Sequence, residues 1–274
     1  MTSGPWRAVS LEGISFWASR LPGWDVAAAV LAGQAEPPAD ALRRPVPEML
    51  PPAERRRAPD SVALAIEVAA RACAAAALDP AQLSSVFATT HADLAITDYL
   101  CEILVRTPLL TSPTKFHNSV HNAAAGYWCI ATGCHAPYTT VSVCDHSFAV
   151  GLLEAIMQVA SDRGPVLYAA YDIESCGPLT QVAMSRGLLG VGLVLARDRS
   201  AQSVAHLSWS IRTGSRDEAT RPDPANSRLV QDNAMASCLP LFEALARGTG
   251  QVTLALGPDS LLDVCVQNAR EAAP

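Results

Sequence analysis

Charge is scarce in this 274-residue chain: charged residues make up 17% against 50% hydrophobic, and the formal net charge is −6. With no basic run longer than Arg55-Arg56-Arg57, a nucleic-acid footprint is excluded. Apolar runs such as Gly187 to Ala196 are too short to span a bilayer, so no membrane attachment is expected. None of the eight cysteines (Cys73, Cys101, Cys129, Cys134, Cys144, Cys176, Cys238 and Cys265) forms a CxxC pair, and no basic and apolar leader opens the chain. That combination predicts a reduced, cytoplasmic protein. Gly-x-Gly-x-x-Gly, Walker, Gly-x-Ser-x-Gly and His-Glu-x-x-His patterns are missing too, which removes the usual arguments for nucleotide binding, serine hydrolysis and zinc peptidase chemistry. What remains is core-forming material in excess of solvating material, a composition that predicts large buried surfaces, a subunit interface among them.

Periodicity divides the chain into alternating strands and helices. Val9 to Trp17 reads as a first strand, followed by a Pro-Gly turn at Pro22-Gly23 and a Pro- and Ala-rich excursion over 36–59. Asp60 is placed to cap a long helix through about Leu78, whose face of Leu64, Val68, Ala72, Ala75 and Ala76 is mostly small. A strand over Leu83 to Thr89, a helix from about Leu94, and a helix starting at Ser119 and closed by Gly133 come next. Beyond the centre of the chain, Pro165 to Tyr171 and Leu188 to Leu195 read as strands, with Gln202 to Ile211 able to pair with the latter as a hairpin. Thr213 to Ser227 predicts an exposed, mobile loop. A helix over about Leu229 to Ala246 and strands at Gln251 to Leu256 and Leu261 to Val266 follow. Such alternation predicts a layered α/β fold with helices on both faces of a sheet.

The organising stretch is Thr139 to Ala155, TTVSVCDHSFAVGLLEA. Thr139 to Val143 has the alternation of a short strand, whereas Phe148, Leu152, Ile156 and Val159 recur at helical spacing. Only Cys144, Asp145, His146 and Ser147 separate the two periods. Extrapolating the helix phase backwards puts Asp145 at the exposed elbow, as a capping residue, and turns Cys144 toward packing. Cys144 and His146, two apart, then share no face, so no ready-made nucleophile and base pair results. His117 and His121 are four apart, but His117 precedes the helix, and neither a metal nor a cofactor is expected there.

The run SPTKFHNSVHNAAAGYWCIATGCHAPYTTVSVCDHSFAVGLLEA, Ser112 to Ala155, resembles the amino-terminal half of β-ketoacyl-acyl carrier protein synthases. It looks most like the short chain length factor-like proteins of aryl polyene-type pathways, and Arg57 to Thr90 carries weaker similarity. Laid over that family without a gap, the catalytic cysteine falls on Asp145 and its preceding alanine on Cys144; a shift of one residue restores Cys144 as a nucleophile. The His-Gly-Thr-Gly-Thr and Asn-Ser-Phe-Gly-Phe-Gly-Gly motifs that supply the family's imidazoles are not in the sequence. The resemblance implies a thiolase-like layered α/β fold, helices covering mixed β-sheets, with a ketosynthase-like half over 1–185 and a shortened half over 186–274. It also implies a noncatalytic subunit paired as a heterodimer with a full-length β-ketoacyl-acyl carrier protein synthase, meeting acyl carrier protein through that complex. In that arrangement Tyr138, Thr140, Ser142 and His146 belong to the interface, and Leu109, Leu110, Phe116, His117 and His121 help to wall the partner's acyl tunnel. The alternative is a minimal acyltransferase or condensing enzyme that uses Cys144.

Overall fold

The computed structural model describes residues 7–161, 164–230 and 232–269. Strand β1 (Arg7–Ala18) runs into a two-residue strand β2 (Leu21–Pro22) and helix α1 (Trp24–Leu31). After an irregular excursion come a short helix α2 (Pro52–Arg57) and the long α3 (Asp60–Ala76). Then follow β3 (Ser84–Ala88), α4 (Leu94–Arg106), α5 (Pro113–His117), α6 (Ala123–Thr132), β4 (Tyr138–Val141) and α7 (Ser147–Ala160). The remainder is β5 (Val166–Asp172), β6 (Leu189–Ala196), β7 (Ala205–Thr213), α8 (Pro224–Ser227), α9 (Leu239–Arg247), β8 (Thr249–Ala255) and β9 (Ser260–Asn268).

All these strands join one mixed sheet in the order β4-β3-β5-β6-β1-β7-β9-β8, with β2 beside β1. Strands β4, β3 and β5 are mutually parallel, and the pairings from β5 to β8 are antiparallel. Helices cover both faces, the thiolase-like layered arrangement, and the carboxyl-terminal strands extend the same sheet rather than forming a second one. Strand alternation explains the two cores. Val86, Tyr168 and Leu193 pack with Phe148, Leu152 and Ile156 of α7 and Phe242 of α9, whereas Phe87, Leu167 and Val194 pack with Leu64 and Val68 of α3 and Trp128 of α6. Full burial of a side chain such as Phe148 contributes about 1.5–3 kcal/mol.

The small-residue face of α3 has the expected purpose. A Cβ at Gly192 of β6 would lie 2.6 Å from the Val68 carbonyl oxygen, so the helix rests directly on the strand backbone. Asp60 is the first helical residue rather than the cap, and pairs with Arg44 at 3.0 Å.

Three further expectations are corrected. The stretches over 189–196 and 205–213 do not form a hairpin: β1 lies between them, paired with both. Strand β1 is apolar on both faces and needs neighbours on both edges, which outweighs the local connection. The segment 24–31, to which the sequence reading assigns no element, is α1, its buried Ala27, Val30 and Leu31 recurring at helical spacing. The helix expected from Ser119 starts at Ala123, after the separate turn of α5. The helix expected over 229–246 is confined to α9, because Pro240 suits only a first turn and what precedes it is a short 3-10 segment.

Candidate functional site

Strand β4 ends at Val141, and α7 begins at Ser147. Ser147 ties the turn between them: its Oγ donates to the Cys144 carbonyl at 2.7 Å and accepts from the Val143 N–H at 2.9 Å. The His146 N–H also reaches the Val143 carbonyl at 2.9 Å. Cys144 sits at the apex with φ +45°, a left-handed conformation that costs a side chain-bearing residue roughly 1–2 kcal/mol. Its thiol is exposed, which corrects the expectation that it turns toward packing. A five-residue turn, 142–146, has no helical phase to extrapolate.

Asp145 is exposed as well, and it is not a cap. The cap position of α7 belongs to His146 and carries no side-chain cap bond, while Asp145 Oδ2 accepts from Arg216 Nη2 at 3.0 Å. His146 Nδ1 lies 3.2 Å from the Ala255 carbonyl oxygen at the end of β8. Three successive side chains thus have three different surroundings. No hydrogen bond joins Cys144 to an imidazole among the described residues.

A second loop supports the elbow from behind. Ser142 Oγ donates to the Thr90 carbonyl at 3.0 Å, and Thr90 Oγ1 donates to the Cys144 carbonyl at 3.3 Å. The buried Asp172 carboxylate fixes that loop by accepting from Thr89 Oγ1 at 2.8 Å, the Thr90 N–H at 2.9 Å and the His91 N–H at 3.2 Å. Burial pushes the Asp172 carboxyl above the usual carboxylate range, against the opposing pull of those donors.

In front of Asp145 lies a cavity of about 300 Å³, lined among others by His146, Ala149, Arg216, Arg221 and Thr253. Its roof is the loop after β7. The sequence predicts mobility there, but the loop is pinned: Arg212 bonds Glu218 at 2.7 Å and Asp263 at 2.8 Å, and Ser215 and Glu218 form a capping box. The Thr220 N–H donates to the Thr253 carbonyl at 2.8 Å, and the Thr253 N–H returns a bond to Thr220 Oγ1. Polar composition here marks a latticed turn.

The other feature is the edge of the sheet. Strand β4 pairs only with β3, so one side of its backbone has no strand neighbour. Around it in the chain, large apolar side chains face solvent: Val105, Leu109 (98% exposed), Leu110, Phe116, Val120, Ile130, Tyr138 and Val143. Thr140 is half-buried and Ser142 exposed. His117 is exposed with its ring 6.5 Å from that of Tyr127. Below this surface, Asn118 Oδ1, His121 Nε2 and Trp128 Nε1 are buried with no hydrogen-bond partner. Leu109, Leu110, Phe116, His117 and Tyr138 are therefore all exposed, whereas His146 meets β8. Arg216, Ser147 and Asp172 escaped the sequence reading. Ser147 alone had a local signal, a hydroxyl at a helix start.

Among the described residues no helix is long and apolar enough to cross a membrane. Similar solved structures include a ketosynthase in complex with its chain length factor from Xenorhabdus doucetiae, 18% identical over 94% of this chain and 99% of that one, with a TM-score of 0.71. The ishigamide ketosynthase/chain length factor is 16% identical over 95% of this chain and 99% of that one, TM-score 0.70. A type II polyketide synthase acyl carrier protein in complex with its ketosynthase bound to the hexaketide gives 11% identity, 96% and 100% coverage, and a TM-score of 0.71. Identities this low establish the shared fold. No curated protein sequence matches the chain. The family model of the β-ketoacyl synthase N-terminal domain matches residues 24–257, and the chain belongs to that family.

Proposed function

We propose that this chain is a noncatalytic, chain length factor-like subunit that pairs with an active, full-length β-ketoacyl-acyl carrier protein synthase and meets acyl carrier protein through that complex. Two observations carry this reading: the unpaired edge of β4 and the exposed apolar side chains of the segments that precede it in the chain. Leu109, Leu110, Phe116 and Ile130 are exposed well beyond what a finished surface requires, and the edge of β4 offers backbone donors and acceptors to a second strand. The elbow supports the same reading. Decarboxylative condensation needs a thiolate to hold the acyl chain and imidazoles to stabilise the enolate. Asp145 offers a carboxylate already engaged by Arg216, and His146 is turned to Ala255. The role left is steric: Leu109, Leu110, Phe116, His117 and His121 form part of the wall of the partner's acyl tunnel, and Tyr138, Thr140 and Ser142 lie along the shared strand edge. Side-chain volume at the closed end of such a tunnel limits the chain that fits. The solved relatives that contain a ketosynthase together with a chain length factor support the pairing by analogy of fold.

Co-expression with a full-length synthase tests it. The expected result is a stable one-to-one complex and a self-associating chain when expressed alone. A monodisperse monomer that binds no synthase overturns it.

One observation favours the second reading, an acyltransferase using Cys144: its thiol is exposed at the strained apex of the elbow. Intact-mass measurement after incubation with an acyl thioester decides this. An adduct that disappears in Cys144→Ala establishes the enzyme, and no adduct removes it.

A further inference from the structure

The cavity in front of Asp145 has a charge arrangement that subunit pairing does not require. Two arginines of one loop, Arg216 and Arg221, line it. Arg216 is engaged by Asp145 at 3.0 Å, whereas Arg221 and the hydroxyl of Ser237, which also lines the space, have no partner among the described residues. The loop is fixed before any ligand arrives, by the Arg212 bonds to Glu218 and Asp263 and by the reciprocal Thr220 and Thr253 bonds, so little ordering entropy opposes binding. His146 lines the cavity too, as do two acidic residues, Asp145, which is paired with Arg216, and Asp217.

We propose that this cavity binds a phosphate monoester, its dianionic head held between Arg216 and Arg221, with Asp145 as the competing carboxylate that the ligand displaces from Arg216. Two guanidinium forks suit a tetrahedral dianion better than a single carboxylate, and Ser237 supplies a further donor. A volume of about 300 Å³ lies at the lower end for ligand sites, which limits the rest of the molecule to a few heavy atoms inside the cavity. This inference stands apart from the pairing proposal, because the cavity is bounded by the loop, β8 and the starts of α7 and α9 rather than by the edge of β4.

The test is calorimetric titration of the full chain with inorganic phosphate and with methyl phosphate at low ionic strength. Saturable binding is expected, weakened about tenfold or more by Arg221→Gln, since a hydrogen bond to a charged group is lost. Asp145→Asn is expected to tighten it by up to about fivefold, since an exposed internal ion pair no longer competes. Arg106→Gln, remote from the cavity, should change nothing. All three sites are exposed, and circular dichroism verifies that each variant is folded. Absence of saturable binding in both the parent and Asp145→Asn overturns the proposal, as does an affinity that Arg221→Gln leaves unmoved. Neither result bears on whether a synthase is bound.

Discussion

Two stretches without long helices or strands, 107–121 and 213–222, are finished to different degrees. The second has little apolar material, and its polar groups answer one another: Arg212 with Glu218 and Asp263, Ser215 with Glu218, Thr220 with Thr253. The first exposes Leu109, Leu110 and Phe116 to water and leaves Asn118 Oδ1 and His121 Nε2 buried and unpaired. A loop that satisfies itself is complete in the isolated chain. One that wastes both apolar area and hydrogen bonds is complete only against something else.

The contrast is broken most directly by placing a charge in the apolar stretch. Phe116→Asp should weaken synthase binding by roughly 30-fold or more, the scale of a central interface anchor, while leaving the thermal midpoint of the isolated chain nearly unchanged because Phe116 is exposed there. Pull-down and thermal denaturation, run together, check both halves of that statement.

Next in size is the support beneath the elbow. Asp172→Asn should destabilise the fold by about 1–3 kcal/mol, because an amide cannot accept all the bonds that the carboxylate takes from Thr89, Thr90 and His91. The sign of its pH dependence follows from the raised carboxyl. In the folded chain Asp172 keeps its proton to higher pH than in the unfolded chain, so its contribution is complete below the unfolded carboxylate range and is lost as pH rises through the folded value. Urea denaturation across that acid window should show the loss in the parent and a flatter profile in Asp172→Asn.

A smaller effect sharpens the other side of the comparison. Arg212→Ala removes the double tether, and trypsin should then cut after Arg216 faster than in the parent, with the midpoint of global unfolding little changed. Equal cleavage rates would mean that the loop owes its order to something else.

The least change is expected from thiol labelling. Cys101 and Cys144 are exposed, whereas burial pushes the Cys73 thiol up to about 12 and Cys238 higher still. Iodoacetamide at pH 8 should modify the first pair and spare the second until denaturant is added. Protection of Cys144 in a synthase complex would place the elbow beside the interface.

What the sequence made legible was whatever repeats. Thr139 to Val143 alternates and Phe148, Leu152, Ile156 and Val159 recur at helical spacing, so β4, α7 and the short join between them were readable, as was the small face of α3. Features that depend on a single distant contact were not. Nothing near Arg216 in the chain announces that it reaches back to Asp145, and nothing near β6 announces that β1, rather than β7, lies beside it. The backbone of Cys144 was hidden for a related reason: a turn of five residues is fixed by Ser147 and Thr90 bonds, not by a period.

The position of β1 also governs how the protein must be assembled. Ser10 pairs with Ala196 on one side and His206 on the other, so the middle of the sheet cannot close until His206 has left the ribosome. Until then β1, buried on both faces in the finished sheet, has two open edges. Slow, late closure of this kind favours chaperone capture or co-translational association, and a complex whose subunits are made side by side would have the advantage.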